Sequence, residues 1–302
     1  MSAETSDLPV LGALPRATAA AKLREIGEDQ AAEALERASP PPTKMDLADW
    51  WPFGDKPWQH TAHAIGFLPT GGNGTQNIIG VGEAQADPSL KNARINVALN
   101  TLRVADYPGG GTHRILFDFY ARNQVPGVSE DLHFNAAYRA REGEGAAVRG
   151  YPIFVGLGVG AVGVAFHFHT VNVKNDADEA FLDFLEGDAF KAGLKLATTA
   201  QPAIAPLTGM AVALTKSIGQ RNRNVSVQDC YVGLDFGGTA MGARLAVGDY
   251  IAVQIPEKLR RVWDWEDWVY EPRSGLIVSR GDHDALIPYN YVVFGVSRYE
   301  GE

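Results

Sequence analysis

The sequence predicts a mainly β fold: an antiparallel β-sandwich, or jelly-roll-like domain, with two inserted helices and an N-terminal helical arm. The 302 residues include 33 glycines and 17 prolines, which are frequent in chains of short strands joined by turns. Runs in which apolar and polar residues alternate, rich in valine, threonine and aromatic residues, recur along both halves of the chain. A C2-like sandwich is one of the arrangements that this pattern allows.

The first 44 residues are predicted to form an arm that precedes a single domain at residues 45–302. A helix is expected over residues 18–38, because Thr18 suits an N-cap and apolar residues follow with helical spacing. The proline-rich linker SPPPT, residues 39–43, ends this helix, since consecutive prolines supply no amide donors. The arm either packs on the edge of its own domain or takes part in assembly or autoinhibition.

Turn signals and helical periodicity place the elements of the domain. Residues 93–105 and 112–123 flank the glycine-rich segment DYPGGG and are predicted to pair as one hairpin. The EPRSG turn at residues 271–275 is predicted to close another hairpin. Helices are predicted over residues 176–190 and 206–221, where apolar side chains recur every three or four residues.

Composition argues against several classes of protein. The formal net charge is −9, so nucleic-acid binding is not expected, because an acidic surface repels a phosphate backbone. The single cysteine, Cys230, excludes an intrachain disulfide and any multi-cysteine metal site. The sequence has no secretory-signal pattern and no apolar run of about 18 residues, which predicts a cytoplasmic location.

The most suggestive stretch is GVAFHFHTVNV, residues 163–173. In a strand, His167 and His169 point to the same face, about 6–7 Å apart. The pair resembles the H-x-H pair of cupin-type double-stranded barrels, although Lys174 and Asn175 stand where a metal-binding carboxylate is expected. The pair indicates either a divalent-metal site or a strand whose histidine face is half solvated or lies at a partner contact. We favour the second interpretation.

An acidic group follows this strand. Asp176, Asp178 and Glu179 stand at a strand-to-helix junction, where their oxygen atoms are the ligands that calcium prefers. Acidic residues in the first turn of a helix are also favoured by the helix dipole without any metal. The sequence leaves both interpretations of this group open.

A tryptophan-rich segment, WDWEDW at residues 263–268, is a candidate contact surface. Aromatic side chains beside charged groups are typical of protein interfaces and of sugar sites. As a strand, the segment would place Trp263 and Trp265 on one face and Trp268 on the other. The candidate partner-binding residues are Trp263, Trp265, Trp268, Lys258, Arg260 and Arg261.

Residues 153–168 carry no charged side chain and contain G-x-G-x-x-G at Gly158, Gly160 and Gly163. Strand-like residues follow these glycines where a dinucleotide fold needs a helix, so nucleotide binding is not expected. The stretch either packs closely inside the protein or faces a lipid or partner surface.

The favoured function is non-catalytic: a protein that binds a partner protein or assembles with itself. Nucleophilic catalysis is not expected, because the sequence has no G-x-S-x-G elbow and Cys230 lies in an apolar strand. Two alternatives stay open. One is a metal-dependent enzyme that uses His167 and His169. The other is a membrane-acting, pore-forming effector that the N-terminal arm restrains.

Overall fold

The computed structural model describes residues 8–37, 56–71, 74–146, 148–186, 193–196, 201–237 and 242–301. Within these ranges the protein is mainly β, with antiparallel sheets in a β-sandwich-like arrangement, as predicted. The helices are α1 (Arg16–Glu25), α2 (Asp29–Arg37), α3 (Glu179–Leu185) and α4 (Gln201–Gly219). The strands are β1 (Ala62–Pro69), β2 (Gln76–Asn77), β3 (Ile79–Gly80), β4 (Arg94–Arg103), β5 (Thr112–Val125), β6 (Val128–Arg141), β7 (Gly145–Ala146), β8 (Tyr151–Gly158), β9 (Gly163–Val173), β10 (Leu194–Lys195), β11 (Asn224–Asp235), β12 (Gly248–Ile255), β13 (Trp268–Glu271), β14 (Leu276–Ser279) and β15 (Tyr291–Arg298).

Two sheets form the sandwich. The larger sheet has the strand order β10-β8-β4-β15-β12-β1-β3, with β7 beside β4, and the smaller sheet has the order β11-β9-β5-β6. Their facing sides bury an aromatic core, in which the rings of Phe119, Phe166 and Phe294 lie 5.4–5.6 Å apart. These three residues belong to β5, β9 and β15, so the contact joins the two sheets.

Further layers cover the outer faces of both sheets. A small sheet, β14-β13-β2, covers the larger sheet, and its Tyr270 and Ile277 share a buried cluster with Val253. Helices α3 and α4 cover the smaller sheet, where Leu182 and Ile218 pack in a cluster with residues of β5 and β9. A helix lies in each predicted segment, with different bounds: α4 begins at Gln201, before the predicted start, and α3 occupies Glu179–Leu185 of the predicted 176–190, of which residues 187–190 lie outside the described residues. No helix in the described part of the chain has the length and apolar character needed to cross a membrane.

The hairpin predicted between residues 93–105 and 112–123 is wrong. Strand β4 lies in the larger sheet and β5 in the smaller one, and β5 pairs instead with β6. The connecting segment is not a free turn, because Tyr107 is buried and its hydroxyl lies 3.0 Å from Thr170 Oγ1 on β9. Pro126 and Gly127 join β5 to β6, and Gly127 has φ +82°, which suits the third position of a type II turn.

The second predicted hairpin is confirmed. Strand β13 pairs with β14 from Trp268↔Ser279 to Glu271↔Leu276. Gly275 has φ +70° and its amide donates to the Glu271 carbonyl at 2.8 Å. The loop therefore closes over five residues, one more than the β-turn that the sequence predicts.

The arm is part of the core. Residues 18–38 do not form one helix, because the chain turns at Gly27, which has φ +82°, and restarts as α2. Glu28 donates its amide to the Leu23 carbonyl at 2.9 Å, which is typical of a helix that ends at a left-handed glycine. Leu11, Leu23 and Leu35 are fully buried in the same cluster as the aromatic core. The proline-rich linker lies outside the described residues.

The uncharged stretch 153–168 divides between the two sheets. Its first part is β8 in the larger sheet, where Ile153, Phe154 and Leu157 are fully buried. Its second part is β9 in the smaller sheet. These apolar side chains of β8 are buried in the core. Gly158 and Gly163 lie where the backbone of another strand approaches closely, and Gly160 lies against the side chain of Gln124.

Replacing Gly158 with alanine is expected to lower the free energy of unfolding by about 1–3 kcal/mol, the usual cost of overpacking. A Cβ atom at Gly158 would lie 2.5 Å from the backbone oxygen of Gln124, which cannot move aside cheaply. Urea denaturation followed by tryptophan fluorescence measures the change. At Gly74 a Cβ atom meets nothing within 4 Å, so Gly74→Ala is the control. Equal stabilities for the two variants would contradict the close-packing role.

Candidate functional site

The register of the smaller sheet gathers polar side chains on its outer face, the face that α3 and α4 cover. Residues directly opposite one another on adjacent strands point to the same side of a sheet. Two neighbouring rows run from β11 across β9 and β5 to β6. The first row contains Asp229, His169, Asp118 and Asn135, and the second contains Tyr231, His167, Tyr120 and His133.

Asp229 lies between the two histidines of the H-x-H pair. His167 Nε2 is hydrogen-bonded to Asp229 Oδ1, and His169 Nδ1 lies 3.6 Å from the same oxygen. His169 is fully buried, whereas the Asp229 side chain is 42% exposed. Burial raises the pKa of the Asp229 carboxyl, but the hydrogen bond from His167 and the nearby His169 ring outweigh this effect and hold the pKa below its usual value. Asp229 is therefore a carboxylate at neutral pH.

Asp229 is the residue that sequence reasoning missed. The expected carboxylate is absent just after the histidines, and it comes instead from β11, 62 residues after His167. Asp229 is hydrogen-bonded to His167 and lies within ion-pair distance of His169. Among the residues that the structure describes, no group of three or more His, Cys, Asp or Glu side chains is spaced to hold a metal ion. Metal binding at His167 and His169 stays a prediction.

A bulge in β11 places a serine beside His169. Ser226 and Asp229 are three residues apart, so a regular strand would put them on opposite faces. Val227 is an extra residue in the pairing with β9, and it brings both side chains to the face of His169. Ser226 Oγ lies 3.0 Å from His169 Nε2. The Val227 carbonyl accepts a hydrogen bond of 2.8 Å from Gln254 Nε2, which stabilises the bulge.

A pocket lies where the arm meets the start of β11. Its volume is about 170 Å³, and Ser226 lies in its wall. The rest of the wall consists of Leu8, Pro9, Leu11, Leu14, Thr18, Lys22, Gly219, Gln220, Asn224 and Val225. Apolar side chains of the arm and polar groups at the end of α4 therefore meet at this pocket.

A second polar group joins the smaller sheet to α4. Asp118 Oδ2 lies 3.1 Å from His133 Nδ1, and Asn135 Nδ2 donates to Asp118 Oδ1 at 3.2 Å. The same Asn135 amide lies 2.9 Å from Thr215 Oγ1 on α4. All four residues are buried. This network fixes α4 on the sheet beside the histidine pair.

The acidic group at the start of α3 is engaged by arginines. Asp176 and Glu179 pair with Arg114 at 3.2 and 3.3 Å. Asp178 is buried and pairs with Arg221. The arrangement suits the interpretation in which these acids stabilise the start of the helix, and calcium binding stays a prediction.

The tryptophans form one cluster, so the predicted division of Trp263 and Trp265 from Trp268 is wrong. Trp263 stacks on Trp268 with centroids 6.1 Å apart and meets the edge of Trp265 at 5.5 Å. The strand prediction failed because residues 265–267 form a 3-10 turn. Trp265 is buried, and its Nε1 donates to the Ile65 carbonyl at 3.2 Å.

Basic side chains lie next to this cluster at the surface. Lys258, Arg260 and Arg261 are exposed, and Arg260 pairs with Glu257 at 3.4 Å. Trp263 and Trp268 are only partly buried, and Val262 beside them is 70% exposed. Partner binding at these residues stays a prediction.

No function can be transferred to this site from a similar protein. Comparisons with protein-family models, with curated proteins and with solved structures find no match for the chain. The functional assignment therefore depends on the geometry described above.

Proposed function

We propose that this protein assembles with a second copy of itself through the outer side of α4. One observation carries the proposal: in the part of α4 whose side chains are described, the side that faces solvent is largely apolar, as is the side that packs on the sheet. Of its 19 residues, Gln201–Gly219, Lys216 is the only charged one. A helix at the surface of a monomer usually has a charged outer side, whereas a helix that is apolar all round is usually buried.

The two sides of α4 are well separated in its last three turns. Ala211, Val212, Thr215 and Ile218 are buried against the smaller sheet. The opposite side exposes Gly209, Met210, Ala213 and Ser217, and we call the first three, which have no polar side chain, the α4 face. Met210 is 65% exposed, and complete burial of such a side chain contributes about 1.5–3 kcal/mol. Covering the α4 face is therefore favourable.

A second copy of the same helix suits this face. Gly209 and Ala213 are four residues apart and so lie one above the other, leaving room for another helix to approach closely. Phe184 on α3, the other helix that covers the smaller sheet, is also largely exposed. A twofold axis pairs identical surfaces with each other, so no different partner is needed.

Electrostatic repulsion between copies is reduced locally. The protein has a net charge of −9, and acidic residues of α3 lie close to Phe184. Arg139 pairs with both Asp183 and Glu186, which neutralises part of this acidic group. This pairing lowers the repulsion that the α3 acids would exert on a second copy.

Replacing Met210 with glutamate is expected to convert a dimer into a monomer, because two carboxylates would be buried opposite each other. Light scattering after size-exclusion chromatography measures the mass, which falls from twice 32.5 kDa to 32.5 kDa. Met210 is exposed, so the variant keeps its fold, which circular dichroism checks. Val262→Glu is the matched control, because it adds the same charge at an exposed apolar residue on the tryptophan side of the protein.

The two variants together decide the proposal. A dimeric wild type, a monomeric Met210→Glu variant and a dimeric Val262→Glu variant support assembly through the α4 face. A wild type that stays at 32.5 kDa at every concentration tested overturns self-assembly. A dimer that only Val262→Glu dissociates moves the contact to the tryptophan cluster and overturns the role of α4.

A further inference from the structure

We propose that Ser226, His169 and Asp229 form a catalytic triad that hydrolyses carboxylic esters with a short apolar acyl group. This activity goes beyond assembly, and it departs from the expectation that the protein is non-catalytic. Ser226 would be the nucleophile, His169 the general base and Asp229 the carboxylate that orients the histidine. Three residues in these roles recur on unrelated folds, so they are recognised by geometry and not by their order in the chain.

His169 lies between the other two residues. Its Nε2 is 3.0 Å from Ser226 Oγ, within hydrogen-bond reach. Its Nδ1 is 3.6 Å from Asp229 Oδ1, within ion-pair distance, and makes no hydrogen bond before substrate binds. Catalytic hydrogen bonds are often long when no substrate is bound and shorten in the complex. His169 is buried, so neighbouring side chains fix the orientation of its ring.

His167 is a positioning residue in this arrangement. Its Nε2 is hydrogen-bonded to the same Asp229 oxygen that faces His169. Asp229 is therefore oriented from one side by His167 and orients His169 on the other. The β11 bulge completes the set, and bulges are common beside active sites, where they redirect a side chain.

The pocket beside Ser226 indicates the class of substrate. Leu8, Leu11, Leu14 and Val225 give it an apolar wall. Its volume of about 170 Å³ is close to the ~150 Å³ of a cavity that accommodates benzene. A short acyl group, such as butanoyl, fits a space of this size with Ser226 in its wall.

The reaction balances with water as the only co-reactant. Ser226 Oγ attacks the ester carbonyl carbon while His169 Nε2 accepts the hydroxyl proton. The bond from carbon to the alcohol oxygen then breaks, and His169 donates the proton to the departing alcohol. Water adds to the acyl-serine as His169 accepts its proton. The bond to Oγ breaks, Ser226 recovers the proton from His169, and the carboxylic acid leaves.

The first test uses a fluorophosphonate probe, which reacts covalently with activated serines. The full-length wild type is expected to gain one probe per chain, and peptide mass spectrometry is expected to locate it on Ser226. The wild type is also expected to hydrolyse p-nitrophenyl butyrate. Ser226→Ala should abolish labelling and lower the rate of hydrolysis at least about a hundredfold, as the loss of a nucleophile does. The control is Ser217→Ala, at an exposed serine of α4, which should retain both the labelling of Ser226 and the hydrolysis of p-nitrophenyl butyrate.

The labelling site on the wild type decides the question even where a variant does not fold. No label, or a label on a different serine, overturns the proposal. Hydrolysis by the Ser226→Ala variant at the wild-type rate also overturns the proposal. Loss of the wild-type activity on addition of a metal chelator overturns it too, since the triad needs no metal. Because Met210 lies outside the pocket wall, the Met210→Glu variant is expected to keep the activity, so a failure of assembly is distinguishable from a failure of catalysis.

Discussion

Replacing Asp118 with alanine is expected to lower the free energy of unfolding by about 3–5 kcal/mol. The carboxylate accepts hydrogen bonds from His133 and Asn135 at a buried position of the smaller sheet. Removing the carboxylate leaves both donors buried with fewer hydrogen-bond partners. Removing one partner of a buried pair typically lowers stability by about 3–5 kcal/mol. Urea denaturation followed by tryptophan fluorescence measures the loss.

Asp131 gives a matched control for this variant. It lies on the same sheet face, on the same strand as His133, and it accepts hydrogen bonds from Tyr120 and Arg122 at 2.7 and 2.8 Å. Its side chain is 39% exposed, so water replaces the lost partners and Asp131→Ala is expected to cost less than about 1 kcal/mol. If the free energy of unfolding falls no more for Asp118→Ala than for Asp131→Ala, the buried network does not hold the sheet and α4 together.

Replacing Leu23 in the arm with alanine is expected to lower the free energy of unfolding by about 2–5 kcal/mol, because it removes a fully buried side chain and leaves a cavity. Leu23 belongs to the cluster that contains the aromatic core of the sandwich. The same reasoning predicts that a chain beginning at Thr43 is much less stable than the full chain. The midpoint of thermal unfolding, measured by circular dichroism, reports both effects.

An exposed change in the same arm separates packing from any general effect of mutation. Glu33 is partly exposed and pairs with Arg37 one helical turn away, so Glu33→Ala is expected to cost about 0.5 kcal/mol or less. A Leu23→Ala variant as stable as Glu33→Ala would mean that the arm is a separable appendage. The assembly and autoinhibition hypotheses for the arm would then gain weight.

Local sequence patterns predicted the elements well, because each element carries its own periodicity. The apolar repeat of residues 206–221 predicts a helix, and a helix lies there. The EPRSG segment predicts a hairpin, since a proline and a glycine restrict the chain within a few residues. Gly27 was missed as a break within the arm, because its left-handed conformation is a property of the folded chain that a helical repeat on both sides conceals.

The partners of the strands and the polar site could not be predicted in this way. The alternation of apolar and polar residues along β4 predicts that one face of the strand is buried, but it does not predict which strand lies beside it. Asp229 meets His169 only through the register of β11 and β9, and Ser226 joins them only because Val227 bulges. A bulge depends on contacts between distant strands, such as the bond from Gln254, and it leaves no pattern in the sequence.

The position of β15 has a consequence for how the protein is made. This strand lies between β4 and β12, in the middle of the larger sheet. Asn96 on β4 donates to the carbonyl of Arg298 on β15, 202 residues further along the chain. During translation β4 and β12 therefore leave the ribosome with unpaired edges, and such edges attract other chains. Pairing between distant segments is also slow. The larger sheet is expected to form only after residue 298 has been synthesised, and the nascent chain needs protection from aggregation until then.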